Sequence, residues 1–185
     1  MKTRIYILLG IIAAAFSSCN ISSTSNNTPE ILFVTNPFVT QTDTLNKYYT
    51  DESGVYRLDT VQVGDTVTFR MLLYGFSNNL STFNVIPSDT SATKVLLPSI
   101  NSLDSIFVTA GSDYSAGKFL FKSNISSLYF PFKYVAKKVS NDAKLTFYLS
   151  SDATFGNTSE FGNNSVSFQL KTPVKLKKQL VKAGK

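Results

Sequence analysis

Apolar and polar residues alternate along most of the chain after residue 30. The clearest example is Val61–Phe76, in which every second residue from Val67 to Leu73 is apolar. A period of two places one set of side chains on the buried face of a strand and the other set on a wetter face. Gly64 and Asp65 interrupt the segment with turn residues. The segment therefore predicts a short strand, a turn and a long strand.

Shorter segments with the same alternation predict further strands. They are Glu30–Thr40, Leu80–Ile86, Thr93–Leu97, Ser105–Thr109, Lys118–Lys122, Tyr129–Lys137, Lys144–Ser150 and Ser165–Leu170. Pro37 confines the first to a sheet edge or to two short pieces, because proline cannot donate a ladder hydrogen bond. Ser140-Asn141-Asp142 predicts a hairpin, and no helical periodicity of useful length precedes the C-terminal tail. About seven to nine strands over residues 30–174 predict an all-β, antiparallel β-sandwich.

One of these segments resembles part of a known domain class. Val61–Phe76 is similar to the start of many bacterial immunoglobulin-like and related sandwich domains, where a short strand, a Val-Gly-Asp turn and a long strand follow one another. The resemblance implies an immunoglobulin-like β-sandwich for residues 30–174. It covers only this segment and implies no specific function.

The N-terminus has the organisation of an export signal. Lys2 and Arg4 precede the uncharged run Ile5–Phe16, which is too short to span a bilayer. Two serines separate this run from Cys19, the only cysteine in the chain. The arrangement resembles a bacterial lipoprotein signal peptide, which implies diacylglycerol on the Cys19 thiol, cleavage before Cys19 and acylation of the new amine. Residues 1–18 would then be the lipoprotein signal peptide. The alternative is an ordinary secretory peptide in which Cys19 is incidental.

The residues after this cysteine indicate where the domain would be held. Residues 19–29 are polar and lack apolar periodicity, so we expect a flexible tether whose ten residues after Cys19 span about 18 Å. Asn20 replaces the Asp that retains some lipoproteins at the inner membrane. We therefore expect a lipid-anchored protein of the bacterial outer membrane that contacts the membrane through its anchor. A periplasmic and a surface-facing orientation both stay open.

Composition removes several function classes. The chain has 43% hydrophobic residues, enough for a packed core, but no His and no second Cys. The commonest general base and the commonest metal ligands are thus missing. Six of its 18 basic residues lie in the last fifteen positions, and residues 175–185 are expected to be a solvated basic tail. Because residues 19–170 carry ten basic against twelve acidic side chains, we expect no nucleic-acid partner.

The first candidate binding region is a loop between the last two predicted strands. Ser151–Asn164 contains the sequence Phe-Gly-Asn twice, beginning at Phe155 and at Phe161. Loops at the end of a sandwich are common binding sites, and exposed Phe suits a protein partner. The alternative is that both rings fold back and plug the open end of the sandwich.

The second candidate region contains closely spaced tyrosines. Tyr48, Tyr49 and Tyr56 lie near Asn46, Asp51 and Glu52. Aromatic rings with polar neighbours are typical of sugar-binding surfaces, although the chain has no Trp.

Catalytic and metal sites have weaker support in the sequence. Asp51, Glu52 and Asp59 offer hard oxygens for calcium, but their spacing is not that of a known calcium loop. Asp104 and Asp113 are carboxylates beside turn residues, so turn formation explains them better than catalysis. We therefore expect no enzyme activity, no metal and no cofactor.

The combined pattern leaves two functional interpretations. The leading one is a non-catalytic, lipid-anchored envelope protein that acts as a protein-interaction or structural module and contacts another envelope protein. The alternative is a glycan-binding accessory lipoprotein of a nutrient-uptake or adhesion system. Tyr48, Tyr49, Phe155 and Phe161 are the residues expected to contact the partner.

Overall fold

The computed structural model describes residues 27–40, 42–154 and 163–177, and this part of the chain is all-β. Its strands are β1 Glu30–Phe33, β2 Phe38–Thr40, β3 Asp43–Thr44, β4 Lys47–Tyr49, β5 Val55–Leu58, β6 Val61–Gln62, β7 Thr66–Tyr74, β8 Leu80–Pro87, β9 Thr93–Leu96, β10 Lys118–Leu120, β11 Ser127–Ala136, β12 Lys144–Ser151, β13 Ser165–Lys171 and β14 Val174–Lys175. Helix α1, Ile100–Ile106, and a 3₁₀ turn at Thr109–Gly111 lie between β9 and β10.

The strands form two large sheets and a small one. The first sheet has the order β3-β2-β7-β11-β9, and β1 also pairs with β7. The second sheet has the order β10-β8-β12-β13-β5-β4, and β14 pairs with β6 alone. Pairing is antiparallel except between β13 and β5 and between β14 and β6. The predicted count of seven to nine strands is not confirmed, because the described residues include several very short strands that the alternation does not distinguish.

The two large sheets pack face to face through aromatic side chains. Phe132 of the first sheet lies 6.1 Å from Phe147 of the second, and Phe83 and Phe130 form an edge-on pair at 5.2 Å between ring centroids. All four rings are buried. Each buried Phe contributes about 1.5–3 kcal/mol by leaving water, so these rings are a main source of stability.

The prediction for the central strand is confirmed. Val67, Phe69, Met71 and Leu73 of β7 are fully buried, and the residues between them are partly exposed. Gly64 has φ +93°, a backbone conformation that side chains disfavour, which explains glycine in the turn before β7.

Proline divides the first strand, which is one of the two outcomes predicted for Glu30–Thr40. Pro37 separates β1 from β2, and both pieces lie along the same edge of β7. The Pro37 carbonyl accepts a hydrogen bond from the Leu45 backbone N–H at 2.7 Å. The break therefore turns the chain toward β3 without leaving this carbonyl unpaired.

The strand predicted at Ser105–Thr109 is wrong. Helix α1 extends to Ile106 and begins after Ser99, whose hydroxyl accepts a hydrogen bond from the Ser102 backbone N–H at 3.4 Å. Leu103 and Phe107 are buried on the core side and lie four residues apart, which is the helical spacing. The seven-residue helix was too short for this spacing to be evident beside the neighbouring apolar residues.

The hairpin predicted at Ser140-Asn141-Asp142 is also wrong. This turn joins β11 and β12, which belong to different sheets and do not pair with each other. Ser140 instead exchanges backbone hydrogen bonds with Val174, at 3.1 and 2.7 Å. The turn residues specify a reversal of direction, but both strands already have two other neighbours.

Hydrogen bonds join several loops at one end of the sheets. The Asn163 backbone N–H donates to the Thr28 hydroxyl at 2.9 Å, and the Asn79 N–H donates to the Asp152 carboxylate at 2.8 Å. Leu80 N–H donates to the carbonyl of Ile125 at 2.6 Å. The described chain thus starts beside these loops, and we call this the N-terminal end of the domain.

Candidate functional site

Tyr48 and Tyr49 lie on β4, the edge strand of the second sheet. β4 forms a hairpin with β5, and Gly54 at φ +71° lies in its turn. The Thr50 hydroxyl closes the turn by donating to the Val55 carbonyl at 2.7 Å. The other end of the hairpin is closed by Asp59, whose carboxylate accepts a hydrogen bond from the Asn46 N–H at 2.8 Å. Hydrogen bonds at both ends hold the short edge strand in place.

The two tyrosines occupy opposite faces of this hairpin. Tyr48 is paired with Arg57 across the strands and Tyr49 with Tyr56. Because Tyr56 lies on the core side of β5, Tyr49 is on that side too, and Tyr48 is on the outer face with Arg57. Tyr48 is 49% exposed and Tyr49 is 84% exposed. Both rings are therefore accessible to a partner.

An open depression of about 450 Å³ lies along the hairpin. We call it the tyrosine depression; it is lined by Tyr48, Tyr49, Thr50, Asp51, Arg57, Leu58, Asp59 and Thr60. Its wall combines aromatic rings, a guanidinium and two carboxylates. This set of groups offers stacking surfaces together with hydrogen-bond donors and acceptors.

Packed rings connect the exposed Tyr49 to the core. Tyr49 lies 5.0 Å from Tyr56, Tyr56 lies 5.5 Å from Phe168, and Phe168 stacks on Phe147 at 4.9 Å. Aromatic pairs in these tilted and stacked geometries contribute about 0.5–1.5 kcal/mol each beyond their burial. The ring of Tyr49 is therefore supported from below although most of it faces water.

Charged side chains surround these rings. The Lys47 ammonium lies 4.5 Å from the ring centroid of Phe33 and 4.8 Å from that of Tyr56, a cation–π geometry. Burial of this ammonium lowers the pKa of Lys47. Glu52 forms an ion pair with Lys171 at 3.6 Å. This contact joins the hairpin turn to β13.

Asp104 and Asp113, the carboxylates considered for catalysis, have local partners. Asp113 accepts hydrogen bonds from the Ser115 hydroxyl at 2.6 Å and from the Ala116 N–H, which lower the pKa of this carboxyl. Asp104 accepts from the Tyr114 hydroxyl at 2.8 Å. Within residues 27–40, 42–154 and 163–177, no group of three or more His, Cys, Asp or Glu side chains is arranged to hold a metal ion.

The structure brings some of the predicted site residues together. Tyr48, Tyr49, Asp51 and Asp59 line one depression, whereas Tyr56 lies beneath Tyr49. Cys19, Phe155 and Phe161 lie outside the described residues. Arg57 was not among the predicted site residues, although its alternation with Tyr56 and Leu58 on β5 could have placed it on the outer face.

No protein-family model matches this chain, and no curated protein matches its sequence. Among the residues that the structure describes, neither of the short helical segments has the length and hydropathy needed to cross a bilayer.

Proposed function

We propose that this protein is a non-catalytic, lipid-anchored module of the bacterial outer membrane that binds another envelope protein through the tyrosine depression. The observation that carries the proposal is an edge strand that places the exposed Tyr48 across from Arg57 and the exposed Tyr49 across from Tyr56, with both tyrosines lining the depression. Tyr and Arg are enriched among the residues that contribute most to protein–protein binding. In the described part of the chain β4 pairs only with β5, so its other edge offers backbone groups to an added strand.

The proposed location depends on the N-terminal sequence. Its resemblance to a lipoprotein signal peptide makes Cys19 the acylated residue, and two or more acyl chains give stable anchoring. Residues 19–29 would then tether the domain to the membrane.

We further propose that the domain is immunoglobulin-like. Two observations support this. In the first sheet, β1 and β2 pair with one side of β7, and β11 and β9 follow on its other side. In the second sheet, β8, β12 and β13 are neighbours in that order. These orders correspond to the ABED and CFG sheets of immunoglobulin domains. The chain departs from that scheme in two ways. The strand beside β8 in the second sheet, β10, comes after β9 in the chain instead of before it. The single cysteine allows no disulfide between the sheets.

Glycan binding is the second candidate function, and the same depression favours it. Tyrosine rings stack on the apolar faces of sugars, and Arg57, Asp51 and Asp59 supply donors and acceptors for hydroxyl groups. The two candidates predict different ligands for one surface. A single pair of variants therefore tests both.

The experiment compares full-length wild-type protein with a Tyr48→Ala/Tyr49→Ala variant in its native membranes. We expect chemical cross-linking and capture to recover an envelope protein with the wild type and to lose it with this variant. Ile100→Ala is the control, because Ile100 is 65% exposed at the start of α1 and does not line the depression. If the captured proteins are the same for all three, the tyrosine depression is not the binding surface.

A polysaccharide retardation gel tests the alternative. Slower migration of the wild type and the Ile100→Ala control, but not of the double variant, would favour glycan binding over a protein partner. Absence of any retardation on envelope and host glycans would count against the glycan-binding candidate.

The anchor needs a test of its own. Cys19→Ala should abolish incorporation of a fatty-acid probe and change the distribution of the protein between membrane and soluble fractions. Incorporation that persists in Cys19→Ala would show that lipid is attached elsewhere and would contradict the proposed anchor.

A further inference from the structure

The outer face of the first sheet carries apolar side chains at its N-terminal end. Leu32 of β1 and Tyr129 of β11 are both paired with Leu72 of β7, so the three form a row across adjacent strands. Leu32 is 43% exposed and Tyr129 is 49% exposed. A polar row would be expected on the solvent face of an antiparallel sheet.

The apolar surface extends to both sides of this row. Tyr74 follows on β7, its ring lies 4.5 Å from that of Phe76, and Val34 is 53% exposed beyond Leu32. We call this surface the apolar face; it consists of Leu32, Val34, Leu72, Tyr74, Phe76 and Tyr129. A contiguous exposed apolar surface on one side of a domain marks an interface.

The position of the tether indicates what covers the apolar face. β1 begins at Glu30, eleven positions after Cys19 in the sequence. If residues 19–29 form the expected tether, the ten residues that follow Cys19 would span about 18 Å. Leu32 lies two residues into β1, about 7 Å along the strand from its start. An acylated Cys19 would therefore keep this face within reach of the lipid surface at a high effective concentration.

Charged side chains lie at both margins of the face: Glu30, which is paired with Tyr74, at the N-terminal end, and Arg70 and Lys133 on the opposite side. Arg70 is paired with Pro131 one row further from the N-terminal end, and Lys133 with Thr68 in the next row. The Arg70 guanidinium lies 5.1 Å from the ring centroid of Phe38. Both cations lie on the same outer face as the apolar side chains and would meet headgroup phosphates as Tyr and Leu enter the interface.

We propose that the apolar face rests on the membrane that holds the anchor, with its side chains in the headgroup region. The inference rests on the proposed acylation of Cys19. This contact would orient the whole domain. Arg57 and Tyr48 are aligned with Lys171 across the second sheet, and Lys171 is the last residue of β13, far from the N-terminal end of the domain. The six residue steps along β13 separate them from that end by about 20 Å. The tyrosine depression would thus be held away from the lipid and open to its partner.

The absence of Trp from the chain provides a direct test. Full-length Tyr129→Trp and Tyr48→Trp proteins each carry one Trp at a position that is 49% exposed. Each is purified from membranes and reconstituted into vesicles of phosphatidylcholine and phosphatidylglycerol, with and without brominated phosphatidylcholine. We expect Tyr129→Trp to emit at shorter wavelength and to be quenched by bromine about threefold more than Tyr48→Trp. Leu32→Trp repeats the measurement from β1 if the substitution at β11 prevents folding.

Equal quenching of the Tyr129→Trp or Leu32→Trp protein and the Tyr48→Trp protein would overturn the inference. A second result would also overturn it: the Tyr129→Trp emission shifts in detergent without vesicles, and the protein has the mass of a dimer under the same conditions. A second copy of the chain would then cover the face. Mass spectrometry of the same preparations establishes acylation separately. An unmodified Cys19 contradicts the anchor, whereas an acylated protein with equal quenching contradicts only the orientation.

Discussion

The tyrosine depression and the apolar face contain tyrosines of the same exposure in different surroundings. Tyr48 lies across from Arg57, near two carboxylates, whereas Tyr129 lies across from Leu72 in a row that ends at Leu32. The first arrangement suits a polar partner and the second suits a lipid interface. An exposed ring therefore has to be interpreted through its neighbours on adjacent strands, not through its own exposure.

The largest effect is expected where the two regions share support. Phe147 is fully buried and contacts Phe33, beneath the apolar face, and Phe168, beneath Tyr56 and Tyr49. Phe147→Ala should lower the free energy of unfolding by about 3–5 kcal/mol, because it leaves a cavity between the sheets. Chemical denaturation measures the change. Tyr148→Phe, on the outward side of the same strand, is the control, and its free energy of unfolding should change by no more than about 0.5 kcal/mol. A similar loss of stability in both variants would mean that the two regions do not share this support.

A smaller effect should separate the apolar face from the depression. In a protein with Leu32→Trp as reporter, Leu72→Ser and Tyr129→Ser remove apolar contact with lipid. If each side chain contributes about 1 kcal/mol, the ratio of lipid-bound to lipid-free states of the face falls about 30-fold. Bromine quenching should then decrease to the level of Tyr48→Trp. Unchanged quenching would show that these two side chains do not hold the face on lipid.

A third tyrosine environment gives a pH-dependent prediction. Tyr134 is fully buried, and burial raises the pKa of its hydroxyl. Below the unfolded pKa of about 10 the proton stays on in both states; above it, the unfolded state loses the proton first. Stability should therefore decrease as pH rises from about 10 toward the folded pKa, by at most about 1.4 kcal/mol per pH unit from this group. Urea titrations at a series of pH values give the free energy of unfolding of the wild type and of Tyr134→Phe. The difference between the two should change with pH only in that range, and a constant difference at every pH would contradict the effect.

The smallest effect is expected at the depression. Tyr48→Ala should change the free energy of unfolding by less than about 1 kcal/mol, since this ring is half exposed and is not part of the aromatic contacts that reach the core. Tyr49→Ala should cost slightly more, because it loses the contact with Tyr56. Thermal melts compare the two. A larger loss for Tyr48→Ala than for Tyr49→Ala would mean that Tyr48 has a structural role.

The alternation in β7 was sufficient to predict its buried side, but it did not draw attention to the outer one. Leu72 and Tyr74 break the polar pattern there, and their meaning depends on Leu32 and Tyr129, which are about forty to sixty residues away in the sequence. The same limit applies to Arg57, which becomes a candidate only when it is paired with Tyr48. Sequence periodicity indicates which face a residue occupies and not which neighbours it has.

The sequence by itself determined the all-β class, the buried residues of β7 and the restriction of the first strand at Pro37 to a sheet edge or to two short pieces. These depend on local properties: a side-chain period of two and the missing N–H of proline. Only the tertiary structure decided that β11 and β12 belong to different sheets, that residues 100–106 are helical, and that Tyr48 meets Arg57 while Tyr129 meets Leu72. Strand partners and register are chosen by the joint packing of two sheets, which no local segment contains.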